Sequence, residues 1–305
     1  MTERALDAEE FFDLTGWAHP ELFGKDEPVW QALRRIKPYL AGALQPNLSE
    51  LRKDGPVLPE TVVLYEGKVL RRGFELVYGE ATKGTCRVIQ EGRELAGAAV
   101  LYAGVSLLSL DVSIGPGSVV EPGALLNGPT IIGARCEVRQ GAYLRGDCVV
   151  GDGCVVGHTT EMKHSIMLNG AKAGHFAYIG DSILGNRTNL GAGTKLANLK
   201  MNDTPVSVAI QGKKYDTGLR KFGAVLGDDT ETGCNAVTNP GTLLGRRCVV
   251  CPCVSVRGGY YPDRSVIRCE TGPSRLSSLP GREGRDAVPR GQPDSFGSYS
   301  GGLSK

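Results

Sequence analysis

Aliphatic residues or methionine recur at every sixth position through the middle of the chain. The uninterrupted row consists of Leu108, Ile114, Val120, Leu126, Ile132, Val138, Leu144, Val150, Val156, Met162 and Leu168. Glycine follows several of these residues, as in Ile114-Gly115 and Val150-Gly151. A six-residue period is typical of a parallel β-helix, in which each hexad forms one short strand and a turn. The pattern therefore predicts stacked coils with these side chains inside a prism.

The residue two positions before each aliphatic residue is small or β-branched. These residues are Val112, Ser118, Ala124, Thr130, Cys136, Ala142, Cys148 and Cys154. We predict that they point into the narrow corners of the prism, where only compact side chains fit. Cys248 follows the same pattern, and cysteine there acts as a small hydrophobic residue. Cys248, Cys251 and Cys253 form a cluster, but no second pair at a zinc-ligand spacing accompanies it, so we expect no metal.

The β-helix is predicted to run over about 107–268, within a domain of residues 106–270. Its register is expected to slip over 168–184, where the aliphatic-Gly pairs follow a shifted spacing. Residues 200–221 interrupt the repeat, and the period then resumes in phase, so this insertion is predicted to loop out of the stack.

Residues 1–105 lack the six-residue repeat and are predicted to form a small α+β cap on the first coil. An amphipathic helix is expected over 27–44, with Asp26 as its N-cap and a kink or break near Lys37, before Pro38. Short alternating runs at Val62–Tyr65, Gly73–Tyr78 and Arg87–Gln90 predict antiparallel strands. The fold class is thus mainly β. Residues 271–305 are rich in Gly, Pro, Ser and Arg, and we predict a disordered tail there.

Charge and composition exclude several classes of partner. The chain of 305 residues carries 35 Lys and Arg against 33 Asp and Glu, so no basic field favours nucleic acid or an anionic membrane. The first fifteen residues are acidic and lack an apolar core, and no run approaches the length of a transmembrane span. We therefore expect a cytoplasmic protein.

Polar residues that a prism does not need interrupt the repeat in two stretches. The first is Tyr143-Leu144-Arg145-Gly146-Asp147. The second carries the strings EMK at 161–163, KAGHFAYIGD at 172–181 and NLGAGT at 189–194. These strings, at this spacing, resemble the acetyltransferase domain of bifunctional N-acetylglucosamine-1-phosphate uridylyltransferase/glucosamine-1-phosphate N-acetyltransferase. They resemble still more the β-helix domains of archaeal-type sugar-1-phosphate nucleotidylyltransferases. The likeness covers about 112–256.

The resemblance implies a left-handed β-helix, a homotrimer with active sites between subunits, and acetyl transfer from acetyl-CoA to a hexosamine 1-phosphate. His175 matches the catalytic base, and imidazole is well suited to take a proton from an amine near neutral pH. Ala192 matches the residue whose backbone N–H lies near the thioester, where it would stabilise an oxyanion. Asn198 matches a neighbouring asparagine of the catalytic set.

The same resemblance assigns residues to the two substrates. Arg145 and Lys163 match the cations that hold the sugar phosphate, Tyr178 and Asn189 match groups that position the sugar and its amine, and Glu161 is a partner for the ammonium group or a water molecule. On the coenzyme A side, Lys221 matches a lysine that could meet phosphates, and Cys234, together with Ala192, matches a backbone contact.

The chain also departs from these families. Nothing in residues 1–105 matches their Gly-rich nucleotide-binding signature, so we expect no uridylyl transfer, and a separate nucleotidyltransferase could supply that step. Leu199 stands where the bacterial enzyme has tyrosine, which leaves open whether glucosamine or galactosamine 1-phosphate is the substrate. The expected role is in making nucleotide-activated amino sugars for cell-envelope glycans.

Two other functions remain open at this point. One is a zinc hydratase of the carbonic-anhydrase kind, with His158 and His164 at equivalent positions of adjacent strands and His175 as a third ligand. The spacing does not match that class, and the EMK and GAGT strings would be unexplained. The other is a non-catalytic trimer that binds a sugar phosphate and has lost its catalytic partner domain.

Overall fold

Three parallel sheets form the walls of a prism in the computed structural model, which describes residues 6–202, 204–210 and 212–269. The predicted tail at 271–305 lies outside the described residues. The helices are α1 (Ala8–Phe11) and α2 (Gln31–Ala43), with short 3₁₀ segments at Pro20–Leu22, Ser49–Asp54 and Ala81–Lys83. The first six strands are β1 (Val62–Tyr65), β2 (Lys68–Leu70), β3 (Glu75–Val77), β4 (Arg87–Gln90), β5 (Arg93–Glu94) and β6 (Ala99–Leu101).

The β-helix follows as a long series of two- to four-residue strands. Its first part contains β7 (Ser106–Leu107), β8 (Val112–Ile114), β9 (Val119–Val120), β10 (Leu125–Asn127), β11 (Thr130–Ile132), β12 (Glu137–Val138), β13 (Tyr143–Arg145), β14 (Cys148–Val150), β15 (Val155–His158), β16 (Glu161–Lys163), β17 (Ser165–Met167), β18 (Lys172–His175), β19 (Tyr178–Gly180), β20 (Ile183–Leu184), β21 (Asn189–Leu190) and β22 (Lys195–Leu196). After a hairpin of β23 (Val206–Ile210) and β24 (Lys213–Leu219), it continues with β25 (Ala224–Leu226), β26 (Glu231–Thr232), β27 (Val237–Thr238), β28 (Thr242–Leu244), β29 (Val249–Val250), β30 (Ser255–Val256), β31 (Gly259–Tyr261) and β32 (Val266–Ile267).

Every third strand of the β-helix belongs to the same wall. Face 1 contains β7, β10, β13, β16, β19, β22, β27 and β30. Face 2 contains β8, β11, β14, β17, β20, β25, β28 and β31. Face 3 contains β9, β12, β15, β18, β21, β26, β29 and β32, and it continues through β6 into β1 and β2. The predicted fold class, mainly β with a parallel β-helix and a small α+β N-terminal region, is confirmed.

The prism interior is filled as the hexad pattern predicts. The small residues predicted at the corners are all buried, and the aliphatic positions between Ile114 and Met162 line one continuous core. The thiol of Cys136 lies 2.9 Å from the carbonyl oxygen of Gly151, and burial raises the pKa of Cys148 to about 12. These cysteines pack in the corners as small hydrophobic residues, as predicted.

Three corners are one residue shorter than the hexad repeat. Leu144 pairs with Met162 in the next coil, eighteen residues on, whereas Met162 pairs with Ile179 after only seventeen. The shortened corners all lie between face 1 and face 2, at His164, at Asp181 and between Val256 and Gly259. His164 and Asp181 have left-handed backbone, with φ of 44° and 46°, as do residues at full-length corners such as Phe176.

Corners that depart from the six-residue repeat correct the two ends of the predicted aliphatic row, a longer one after Leu107 and a shorter one at His164. The slip begins at His164, before the predicted range 168–184, so Met167 points into the prism and Leu168 points outward into a second core. Leu108 is also outside, with 55% of its surface exposed, because Leu107 pairs with Leu126 and takes the inner position.

Residues 6–44, here called the strap, cover face 2 lengthwise. Face 2 strands such as β14 are buried on both sides, and their outer aliphatic residues pack against the strap in the second core. The strap contributes Phe11, Phe12, Leu22, Trp30, Leu33, Ile36 and Leu40. Residues 1–105 are therefore more than an end cap, because their first part extends along the coils.

Helix α2 is shorter at its start and continuous where a break was predicted. It begins at Gln31, and Asp26 is no N-cap because its backbone is left-handed with φ of 53°. The helix runs through Pro38 to Ala43, since burial of its apolar side against face 2 outweighs the lost hydrogen bond. None of the helices in the described residues combines the length and apolar character needed to cross a membrane.

The later part of the N-terminal region closes the first coil. Leu48, Leu51 and Leu58 join the prism core, and β1 pairs antiparallel with β2 and β6. The antiparallel sheet β3–β4–β5 packs beside face 3, where the Thr82 hydroxyl donates to Glu137 Oε1 at 2.9 Å. The predicted antiparallel strands are thus confirmed.

The predicted insertion forms the antiparallel hairpin β23–β24. Leu199 and Lys221 form a bridge at its neck, so the hairpin leaves the stack between β22 and β25. Val206 and Val208 pack into the second core beside Trp30. The Arg34 side chain donates to the Gly218 carbonyl at 2.8 Å, which ties the hairpin to the strap.

Two equivalent glycines in neighbouring coils provide a test of this packing. A Cβ on Gly157 would run into the backbone carbonyl of Gly174, whereas a Cβ on Gly174 would meet nothing within 4 Å. We expect Gly157→Ala to lower the free energy of unfolding by about 1–3 kcal/mol, because the obstructing atom is backbone. Gly174→Ala is the matched control and should be tolerated. Urea unfolding followed by circular dichroism distinguishes them, and equal losses would contradict the packing described.

Candidate functional site

Three of the predicted site residues lie one above another at a single edge of the prism. His158, His175, Ala192 and Cys234 occupy equivalent places in successive coils, at the turn from face 3 to face 1, here called the His175 corner. Backbone N–H groups of Phe176, Gly193 and Asn235 donate to the carbonyls of His158, His175 and Ala192 at 2.8, 3.0 and 2.8 Å. The resemblance placed His175, Ala192 and Cys234 together chemically, and the coil repeat brings them into one column.

The Ala192 N–H is a free donor within the described part of the chain. The neighbouring N–H groups of Gly191 and Gly193 both have carbonyl acceptors, at Thr232 and His175, but that of Ala192 has none. Ala192 is half-buried and His175 is exposed. A fixed, unpaired backbone donor beside an imidazole can stabilise an anion that forms in front of it.

The outer side of face 1 adjoins this corner and carries a polar column. Tyr143, Glu161, Tyr178 and Lys195 are register partners on consecutive strands. The Tyr178 ring lies over Gly180, where an added Cβ would be 2.6 Å from the hydroxyl oxygen. Burial raises the pKa of the Tyr178 phenol, so Tyr178 acts as a hydrogen-bonding group rather than as an anion.

Asp181 is the buried carboxylate on which this region is organised. Its Oδ2 accepts from Lys163 Nζ at 3.1 Å and from the Asn198 side-chain amide, and its Oδ1 lies 2.9 Å from His164 Nδ1. Burial alone would raise the pKa of Asp181, but hydrogen bonds from His164 and Asn198 and the nearby Lys163 ammonium hold it below its usual value. We call these four residues the Asp181 clasp.

The two predicted phosphate-binding cations are both paired inside the chain. Lys163 lies in the Asp181 clasp, and Arg145 Nη1 lies 2.7 Å from Glu161 Oε1 on the surface of face 1. The Arg145–Glu161 pair is largely solvent-exposed and contributes little to stability. Arg145 is therefore free to exchange its partner for an anion at small cost.

Asn189 and Lys221 lie apart from the His175 corner. Asn189 is exposed on face 3, where it pairs with Lys172 and precedes the Gly-Ala-Gly turn. Lys221 is exposed at the neck of the hairpin, where it pairs with Leu199, the residue that follows Asn198 in the chain. A single chain thus presents the predicted residues along an open surface rather than in one enclosed cavity.

The histidines do not form the stacked pair that the zinc hydratase hypothesis needs. His158 ends β15 on face 3, whereas His164 lies at the corner between face 1 and face 2, so they are not equivalent. His158 instead pairs with His175. His158 Nδ1 lies 2.8 Å from the Gln140 carbonyl, and His164 Nδ1 is held by Asp181. Within the described ranges, no group of three or more His, Cys, Asp or Glu residues could hold a metal ion.

Asp181 was given no role from the sequence, and His164 was considered only as a zinc ligand. Asp181 closes the KAGHFAYIGD string and His164 follows EMK, so both were adjacent to predicted residues. The available signal was the lost residue in the hexad count at each of them, because a shortened corner must be stabilised by its own contacts.

Comparisons with known proteins agree with the motifs. Residues 126–268 match the family model described as the GMPPB C-terminal domain. A bifunctional sugar-1-phosphate nucleotidylyltransferase/acetyltransferase of Sulfurisphaera tokodaii is 37% identical over 97 residues, which is 32% of this chain and 24% of that protein. The bifunctional protein GlmU of Staphylococcus saprophyticus is 34% identical over 208 residues, covering 57% of this chain and 42% of that protein.

The chain therefore spans about a quarter of the first of these relatives and less than half of the second. Among solved structures, the Arabidopsis UDP-N-acetylglucosamine acyltransferase is 15% identical with a TM-score of 0.31, covering 53% of this chain and 70% of that one. The sequence matches confirm the resemblance to bifunctional sugar-1-phosphate nucleotidylyltransferase/acetyltransferases, and the family match lies within the β-helix.

The Asp181 clasp predicts a defined pH dependence of stability. Because the folded-state pKa of Asp181 lies below the ordinary value of 3.8, its stabilising effect is present above that pH and is lost as the pH falls towards the folded-state pKa. We expect Asp181→Asn to lower the free energy of unfolding by about 1–3 kcal/mol at pH 7. The difference from the native chain should narrow below about pH 4.

Asp229→Asn is the matched control, because Asp229 pairs with Arg187 through a 2.7 Å hydrogen bond on the exposed surface. Its loss should stay within about 1 kcal/mol. Urea unfolding at pH 7, 5, 4 and 3 measures both variants. Equal losses of unfolding free energy in the two variants at pH 7 would show that the buried Asp181 carboxylate stabilises the fold no more than an exposed ion pair does.

Proposed function

We propose that this protein transfers the acetyl group of acetyl-CoA to the amine of a hexosamine 1-phosphate, glucosamine 1-phosphate or galactosamine 1-phosphate. One observation carries the proposal: the imidazole of His175 and the unpaired N–H of Ala192 lie in successive coils of one corner. The sequence matches to a sugar-1-phosphate nucleotidylyltransferase/acetyltransferase and to a GlmU protein support it, and the family match covers residues 126–268, which include these coils.

The reaction then needs no covalent enzyme intermediate. His175 takes a proton from the amine, whose nitrogen attacks the thioester carbonyl carbon and forms the new C–N bond. The carbonyl oxygen becomes an oxyanion that accepts a hydrogen bond from Ala192 N–H. Collapse of this intermediate breaks the C–S bond, and coenzyme A leaves as a thiolate that takes up a proton. Asn198, whose side-chain amide donates to Asp181, completes the proposed catalytic set.

The sugar phosphate binds on the face 1 side. Arg145 and Lys163 hold the phosphate dianion, and Arg145 leaves its exposed pair with Glu161 to do so. The freed Glu161 carboxylate can then meet the amine in its ammonium form, while Tyr178 and Asn189 position the sugar ring. On the other side, Ala192 and Cys234 contact the coenzyme A arm, and Lys221 meets its phosphates.

The open arrangement supports an assembly in which sites are completed between subunits. His175, Asn189 and Cys234 are exposed in the single chain, and the strap occupies face 2. We therefore propose a homotrimer. We also propose that it is cytoplasmic, contacts neither nucleic acid nor membrane and needs no metal for acetyl transfer, and that a separate nucleotidyltransferase could use its product. The product would enter the making of nucleotide-activated amino sugars.

Loss of the imidazole should abolish transfer while leaving sugar binding intact. We expect His175→Ala to slow thiol release from acetyl-CoA by about a hundred- to ten-thousand-fold, because general-base assistance is lost. Thiol release is measured with each amino-sugar phosphate in turn, and the Kd of the same sugar is measured by calorimetry. No sugar-dependent release from the folded native protein, with binding retained, would favour the non-catalytic binding trimer instead.

The two cations should affect one substrate only. Lys163→Gln and Arg145→Gln are each expected to raise the KM for the sugar phosphate by about tenfold, because each removes a charge-assisted hydrogen bond to the phosphate. The KM for acetyl-CoA should stay within about twofold. Lys68→Gln, on β2 of the N-terminal region, is the control and should change neither constant. A rise in the KM for acetyl-CoA alone would contradict the assignment and show that these cations bind coenzyme A rather than the sugar phosphate.

A further inference from the structure

Phe176, next to His175, is an aromatic side chain that the proposed chemistry leaves without a role. It is 53% exposed, although burial of such a ring is strongly favourable. Its backbone is left-handed, with φ of 54°, and its N–H donates to the His158 carbonyl at 2.8 Å. The main chain therefore fixes the point from which the ring projects at the His175 corner.

The ring is held from behind by His158. The two ring centroids are 5.2 Å apart with an interplanar angle of 78°, an edge-to-face contact. His158 is itself fixed at both nitrogens: Nδ1 lies 2.8 Å from the Gln140 carbonyl oxygen, and Nε2 lies 3.2 Å from the Thr159 hydroxyl. Since a carbonyl only accepts, Nδ1 carries a proton, and Nε2 shares a hydrogen bond with the Thr159 hydroxyl. Both ring nitrogens are therefore engaged, which fixes the His158 ring as a support.

The position of the ring along the prism indicates which substrate it meets. Phe176 leans on the preceding coil, towards the strands that carry Arg145 and Lys163. Ala192 and Cys234 lie in the coils on the other side of His175. Because its contact with His158 is on the side of the coil that leads to Lys163, the ring is expected to border the acceptor side of the corner, where the amine must approach the imidazole.

We propose that Phe176, supported by His158, is a specificity-determining residue that packs against the apolar C–H face of the hexosamine ring. The inference rests on the proposed function and adds to it a contact with the sugar itself rather than with its phosphate. This aromatic surface, here called the Phe176 wall, selects a pyranose over smaller amines and directs the amine of the sugar towards His175. An aromatic ring suits this task, because its flat face covers C–H groups and makes no demand for hydrogen bonds.

The test separates sugar binding from phosphate binding. Phe176→Ala should weaken binding of glucosamine 1-phosphate by about tenfold in calorimetry and leave the Kd of inorganic phosphate unchanged. In turnover, the KM for the sugar phosphate should rise while that for acetyl-CoA stays constant. Phe176→Leu keeps an apolar side chain and should lie between the native protein and Phe176→Ala, as should His158→Gln, which loosens the support.

Tyr78→Ala removes another exposed aromatic ring, on the N-terminal region, and serves as the matched control with no expected change. If Phe176→Ala selectively loses sugar binding but the native protein shows no transfer, the contact between Phe176 and the sugar is retained and the proposed reaction is overturned. Normal transfer with an unchanged sugar KM in Phe176→Ala would overturn the wall alone. A raised acetyl-CoA KM would also overturn it, because the ring would then belong to the donor side.

Discussion

The stacking of one interior side chain on the next is the constraint that governs this molecule. Each coil buries its aliphatic residues only because the coil before and the coil after repeat them at the same place. The prism is too narrow for variation inside, so its corners accept only small side chains such as Ala142 and Cys148. Any departure from the repeat must therefore be accommodated at the outer surface, as the hairpin at the neck of Leu199 and Lys221 illustrates.

The chemistry of the chain is found where the repeat is altered. Two of the three corners that lose a residue, at His164 and Asp181, form a buried polar network with Lys163 and Asn198. The regular corners, by contrast, stack His175 and Ala192 at a fixed spacing. Irregular corners hold charges in place, and regular corners align reacting groups.

The sequence predicted the inside of the prism well because the six-residue period is a direct consequence of stacking. It misplaced Leu108 and Leu168 because a one-residue change in a corner leaves a short hydrophobic run looking the same. The predicted N-cap at Asp26 and the predicted break before Pro38 were both wrong, because tertiary packing of α2 overrode the local preferences of these residues. At the candidate site, motif resemblance selected His175, Ala192 and Cys234, which the coils stack in one column, but also Asn189 and Lys221, which lie apart from it. It did not reveal that Lys163 is paired with Asp181, because that contact joins different coils and leaves no local pattern.

The strap has a consequence for how the chain reaches this structure. Coils of a solenoid assemble from neighbours and can be added one after another as the chain is synthesised. The strap is made first, yet Asp13 donates its N–H to Asp228 at 2.7 Å across a separation of 215 residues, and Phe11 lies edge-on to Tyr260. Its docking closes a very long loop and must wait for the last coils. A segment that leaves the ribosome before the coils thus finds its place after them, and until then the apolar surface of face 2 is uncovered.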